Sequence, residues 1–181
     1  MVGQVRRLHW GCGSWTPPGW INSDIKEGPD IDLACDIRQG MPLESDSIDY
    51  AVSIHALPEI HMNDQVIVLS ELRRVLKHGG VLRLALPDLL KGVQAYERKD
   101  RDYFLVPDED AASLGAKLIT QLVWYGYVRT PFVPEFIEEL LIKAGFSRVV
   151  HCQFQQTASS FDDITSLDNR EAESLFVEAV K

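Results

Sequence analysis

Leu8–Asp24, LHWGCGSWTPPGWINSD, is the stretch that decides the fold. A short, partly apolar run, Val5–Trp10, stops at Gly11, Cys12 and Gly13, and a second run, Trp20–Asp24, ends on an acid. Glycines at such a point let the backbone turn tightly and approach a ligand closely. An Asp closing the next strand can accept hydrogen bonds from both hydroxyls of a ribose. Together these residues describe a nucleoside site at the carboxyl edge of a parallel sheet. A structural turn followed by a surface Asp is the plain alternative.

The same stretch narrows the nucleoside. A dinucleotide site sets a third glycine and a helix N-terminus against the pyrophosphate. Here Thr16 stands at the third-glycine position, and Pro17 and Pro18 follow, so no regular helix runs through. Only nine residues, Gly11–Gly19, join the two strands, whereas a helical crossover takes about a dozen or more. The first crossover helix is therefore absent or reduced to a turn. S-adenosylmethionine carries no phosphate and has no need of that helix. A nicotinamide-dependent oxidoreductase is disfavoured on the same ground.

Outward from this stretch the chain alternates. Ile31–Cys35 reads as a third strand, and Ile48–Ile54 (IDYAVSI) as a fourth with the near-continuous apolar character of a strand buried on both faces. A helix follows, with Asn63 or Asp64 as N-cap, apolar residues Val66, Leu69, Leu72, Val75 and Leu76 at helical spacing, and Gly79-Gly80 as its end. Val81–Leu86 (VLRLAL) is the fifth strand, stopped by Pro87. This alternation predicts a parallel, doubly wound α/β sheet. Beyond it, Leu89–Lys99 and Ala111–Tyr127 read as helices around a polar loop, Asp100–Asp110. Pro134 opens a further helix that Gly145 closes. Phe146–Phe154 and Ser174–Val180 read as the last two strands, joined by the acidic stretch Gln155–Glu173.

The 181 residues suit a single domain, 1–181, with a small lid. Net charge is −9, divided −4 and −5 between residues 1–90 and 91–181. Even acidity disfavours a broad nucleic-acid footprint or an anionic membrane surface, both of which call for clustered Lys and Arg. It suits a cationic ligand such as a sulfonium. No apolar run approaches the ~20 residues of a membrane span, and Arg6 and Arg7 interrupt any leader-like segment. Cys12, Cys35 and Cys152 are odd in number and lack metal-type spacing, which predicts reduced thiols in a cytoplasmic protein.

Four segments carry a resemblance: LHWGCGSWTPPGWINSDI, DLACDI, MPLESDSIDYAVSIHALPEI and ELRRVLKHGGVLRLALPDL. They are similar to the successive motifs of class I S-adenosylmethionine-dependent methyltransferases, in particular small members of the type 11-like group. The closing AGF and SLFVEAVK segments resemble the family's last elements. The resemblance implies a Rossmann-like, mainly parallel seven-stranded sheet with an antiparallel last strand. It implies backbone contacts from Gly11, Cys12 and Gly13 to the methionine end of the cofactor. Asp24 would take the ribose hydroxyls, Ile25 would pack on adenine, and Asp36 would accept from the adenine amino group beside Ile37. His55 falls where cofactor and acceptor meet. One departure stands out: many members carry an acid two residues before the first glycine, and this chain has His9.

Methyl transfer asks mainly for alignment of the acceptor, with a base where the acceptor is protonated. His55 is the catalytic candidate, either as base or as a group ordering the site. His55, Glu59 and His61 match no familiar metal spacing, so no metal is expected. Aromatics gather between the fifth strand and the last helix, in the segment 89–131 that would form the lid. Tyr96, Trp124 and Tyr125 are the candidates for the acceptor site, with core packing of a helical flap as the alternative. The acceptor expected is a small molecule or a saccharide-type metabolite, with no nucleic-acid or membrane partner. A domain that binds S-adenosylmethionine without turnover is the rival.

Overall fold

A computed structural model describes residues 5–181. Seven strands form one sheet in the order β3-β2-β1-β4-β5-β7-β6. They are β1 (Arg7–Trp10), β2 (Ile21–Asp24), β3 (Leu33–Ala34), β4 (Ile48–Ile54), β5 (Leu76–Pro87), β6 (Arg148–Cys152) and β7 (Ser174–Val180). Only β7 runs antiparallel, to both β5 and β6. This is the mainly parallel, doubly wound order with an antiparallel last strand. No helix lies between β1 and β2.

Alternation sends successive side chains of each strand to opposite faces. On one face Leu8, Ala51, Leu82, Leu84, Leu86 and Val177 meet two helices, α1 (Gln65–Val75) and α4 (Pro134–Lys143). Val68, Leu69, Leu72 and Val75 recur along α1 so that one side is fully buried, as a 3.6-residue period requires. Proline at the start of α4 and Lys143 in its last turn suit the two helix ends. Each large aliphatic side chain so buried contributes about 1.5–3 kcal/mol.

No α-helix contributes to the opposite apolar cluster. Trp20, Tyr50, Val52 and Val81 pack with Ile164 and Leu167 from the β6–β7 connection. Beside this cluster, Arg83 of β5 is wholly buried within the otherwise apolar run Val81–Leu86. Its guanidinium binds Asp168 through Nε at 2.8 Å and Glu178 through Nη1 at 2.8 Å. It also donates to the Gln153 and Gln156 carbonyls. Asp168 in turn accepts from the Gln155 amide, and Glu178 from the Ala158 amide. The acidic connection is thereby fastened across β5 and β7, with every charge of the cluster hydrogen-bonded.

Several boundaries differ from expectation. The helix stops at Val75, because Leu76 turns extended (ψ 141°), and β5 runs through Gly79-Gly80 with a register shift against β4. The third strand shortens to Leu33–Ala34, and the sixth to Arg148–Cys152. The predicted helix 111–127 shortens to α3 (Leu114–Val123), since Trp124 and Tyr125 take left-handed φ of 40° and 56°. With α2 (Leu89–Glu97), α3 forms the helical part of the 89–131 segment. The ends of that segment meet: Asp88 bridges to Phe132, and the Leu89 amide donates to the Phe132 carbonyl at 3.0 Å.

Candidate cofactor and acceptor site

The carboxyl ends of β1, β2 and β4 converge on the Gly11–Gly13 turn. The amides of Gly11 and Cys12 both donate to the Ser23 carbonyl, at 2.8 and 3.1 Å. Gly11 is required twice over. Its φ is +67°, and a Cβ would collide with that of Ala56. Gly13 has φ +57° and open space where a Cβ would stand, so its outer face is free for a ligand. Asp24 braces the turn: Oδ2 accepts from the Gly13 amide at 2.9 Å and Oδ1 from the Lys26 amide at 3.1 Å.

Three concavities meet here. One is bordered by Asp24, Ile25, Cys35, Asp36 and Ile37. A second runs along Gly11–Thr16 past His55 to Asn169 and Arg170. The third lies under the 89–131 segment, walled by Tyr103, Phe104, Leu118, Trp124 and Phe132. Glu59 and Tyr127 border all three, and His55 and Arg170 border the last two. Of the predicted residues, Gly11, Cys12, Gly13, Asp24, Ile25, Asp36, Ile37 and His55 are brought to one edge. Ile25 is 62% exposed, an apolar side chain left bare on the border of two of the concavities.

Electrostatics refine several roles. Arg38 chelates Asp36, with Nη2 to Oδ2 at 2.7 Å and Nε to Oδ1 at 2.9 Å. That hydrogen bonding holds the Asp36 carboxyl below its usual range. Burial pushes the Cys12 thiol up to about 11, with Asp24 adding to it, so Cys12 is no thiolate nucleophile. His55 takes a left-handed φ of 58°, a strain of the kind found at functional sites. Its Nε2 lies 2.7 Å from Ser174 Oγ. Burial, helped by the nearby Arg170, lowers His55 to about 3. The ring is therefore neutral near pH 7 and a weak base. Burial likewise raises the Glu59 carboxyl, with Asp24 reinforcing it.

His9 lies beneath the turn, in T-shaped contact with Trp15 and Trp20 at centroid distances of 5.8 and 6.2 Å. Burial lowers it to about 4. His9 is thus neutral near pH 7.

Tyr96 is corrected. It sits on α2 against Gly115 of α3 and does not border the cavity. Trp124 does border it, whereas Tyr125 faces the Asp36 side and donates its hydroxyl to Asp110 at 2.6 Å. Arg170 and Glu173 carry no signal in the sequence reading, and Tyr103 counts there only among the aromatics of the flap. Glu59 is weighed there only as a metal ligand. Among the described residues no cluster of three or more His, Cys, Asp or Glu could hold a metal. Nor is any helix among them long and apolar enough to cross a membrane.

Comparison with solved structures agrees with this geometry. An S-adenosylmethionine-dependent methyltransferase from Thermotoga maritima, described as a possible histamine N-methyltransferase, superposes with a TM-score of 0.63 at 18% identity, covering 100% of this chain and 84% of that one. One from Archaeoglobus fulgidus gives 0.59 at 15% identity, covering 99% and 87%. A Haloferax volcanii methyltransferase complexed with the Trm112 methyltransferase activator gives 0.56 at 15%, covering 99% and 84%. No curated protein matches the chain. The fold is that of class I S-adenosylmethionine-dependent methyltransferases. Residues 21–84, from β2 into β5, match the methyltransferase domain of the type 11 family. Over these residues the chain is similar to the type 11 methyltransferases, and S-adenosylmethionine is the cofactor that this match and the fold support.

Proposed function

We propose that this enzyme methylates a small-molecule or saccharide-type acceptor held under the 89–131 segment. The observation that carries the proposal is the meeting of the three concavities at Glu59 and Tyr127. A ligand lying along the Asp36 and Gly13 compartments would reach the mouth of the third at His55.

S-adenosylmethionine, when bound, supplies a methyl group already activated by its sulfonium. The roles of the chain are to bind, orient and exclude water. Asp24 takes the ribose hydroxyls with the lone pairs left over from bracing the turn. Ile25 and the Ile37 backbone flank the adenine, and Asp36, fixed by Arg38, faces its amino group. Gly11, Cys12 and Gly13 offer backbone to the methionine end. His55, neutral and tied to Ser174, orients groups at the junction instead of taking a proton. Trp124 and Tyr103 wall the acceptor, and α2 and α3 shield it from water. Tyr125 flanks the cofactor compartment. The acceptor cavity is partnered by a small molecule in this reading. The Haloferax complex makes a protein activator a further partner to test.

A second reading, a cofactor-binding domain without turnover, is favoured by one observation: His55, the histidine between the glycine-turn and acceptor compartments, is held neutral. Turnover of labelled S-adenosylmethionine across amine, hydroxyl and sugar acceptors separates the two. Methyl transfer that falls in Trp124→Ala with cofactor affinity retained supports the first reading. Tight cofactor binding with no transfer to any acceptor supports the second.

A further inference from the structure

We propose that Arg170 anchors the carboxylate of the cofactor's amino-acid end, an inference that rests on the S-adenosylmethionine reading. The amino-acid end carries two charges, and a cleft that binds it must answer them. The usual devices are missing from this chain. No helix N-terminus follows β1 to offer its dipole to a carboxylate. His9, beneath the glycine turn, is neutral.

Two cations border the glycine-turn cleft, Lys26 and Arg170. Lys26 lies two residues past Asp24, on the ribose side, among the acids Glu27 and Asp30. Arg170 lies on the far side, next to His55 at the end of β4, and its charge reaches that ring. A ligand whose ribose is held at Asp24 and whose chain runs over Gly13 toward His55 arrives at Arg170.

The backbone of Arg170 is fixed in advance. Two residues before it, Asp168 is locked to Arg83 in the wholly buried ion cluster. Four residues after it, the Ser174 amide returns to the Arg170 carbonyl at 3.1 Å. Among the described residues its side chain makes one hydrogen bond, Nη1 to Glu173 Oε1 at 2.9 Å. A guanidinium has five donors in a planar fork suited to a carboxylate, so the outward edge of the fork remains available. The buried cluster thus does in this chain what a crossover helix would do elsewhere: it brings a fixed positive group to the cofactor edge.

Calorimetric titration of the full chain tests this with two ligands, S-adenosylhomocysteine and 5′-methylthioadenosine, which lacks the amino-acid end. Arg170→Ala is expected to weaken S-adenosylhomocysteine at least tenfold, the scale of one charge-assisted hydrogen bond, and to leave 5′-methylthioadenosine within twofold. Arg170→Lys is expected to fall between wild type and Arg170→Ala. Equal affinity of wild type and Arg170→Ala for S-adenosylhomocysteine overturns the anchor and leaves the cofactor assignment standing. Equal losses for both ligands overturn it too, because the effect would then be on the shape of the cleft. A wild-type chain that binds neither ligand overturns the cofactor reading and the anchor together.

Discussion

The two faces of the sheet are covered by different physics. One is closed by α1 and α4, whose aliphatic side chains interlock with those of β1, β4, β5 and β7. The other is closed by an irregular connection whose hold depends on the apolar residues Phe161, Ile164 and Leu167 and on the buried Arg83–Asp168–Glu178 cluster. Without a helix between β1 and β2, Trp20 and this connection occupy the exposed sheet surface. A helix packs by area and tolerates change in shape. A buried charge cluster holds by geometry, and losing one member leaves the others desolvated and unpaired.

The sharpest way to break that contrast is Asp168→Ala. It strands Arg83 in the interior and is expected to cost about 3–5 kcal/mol, read by chemical denaturation. A loss below about 1 kcal/mol would mean that the connection is held by its apolar residues alone. Leu72→Ala on α1 removes a fully buried side chain from the helix-covered face and is expected to cost about 2–5 kcal/mol. Leu72→Met should recover most of it. No comparable rescue is expected on the other face from Asp168→Leu.

A further effect is on pH dependence. His9 and His55 bind a proton less readily folded than unfolded, falling from the ordinary 6.5 to about 4 and about 3. Between those values and 6.5 the unfolded chain holds the extra protons, so stability declines as pH drops through this window and is flat above it. Tm followed from pH 8 to 4.5 should show the decline, and His9→Gln should flatten part of it. A Tm that rises on acidification would show that neither ring is buried neutral.

Much of the helix-covered face was legible in the sequence, since apolar periodicity in α1 and α4 and the IDYAVSI and VLRLAL runs report burial directly. The Gly-Cys-Gly turn and its brace at Asp24 were legible because only a few residue types satisfy that backbone. The cover of the other face was hidden. Its one signal was Arg83 inside VLRLAL, a charge that cannot be buried without carboxylates, yet Asp168 lies 85 positions away and Glu178 lies 95. Nothing local pairs them, so Arg170 and Glu173 on the same connection went unassigned. Tyr96, away from the cavity, shows the opposite limit: aromatic content marks a flap without saying which rings turn inward. The helix boundary at Val75 failed because Gly79-Gly80 reads as a helix stop when it lies inside β5.

Both faces serve the edge where Asp24 stands, and titration of wild type and Asp24→Ala with S-adenosylhomocysteine and NAD tests the account there. The account predicts that wild type binds S-adenosylhomocysteine and not NAD, and that Asp24→Ala loses about ten- to a hundredfold in affinity. Unchanged affinity in Asp24→Ala, or binding of NAD in place of S-adenosylhomocysteine, would contradict it.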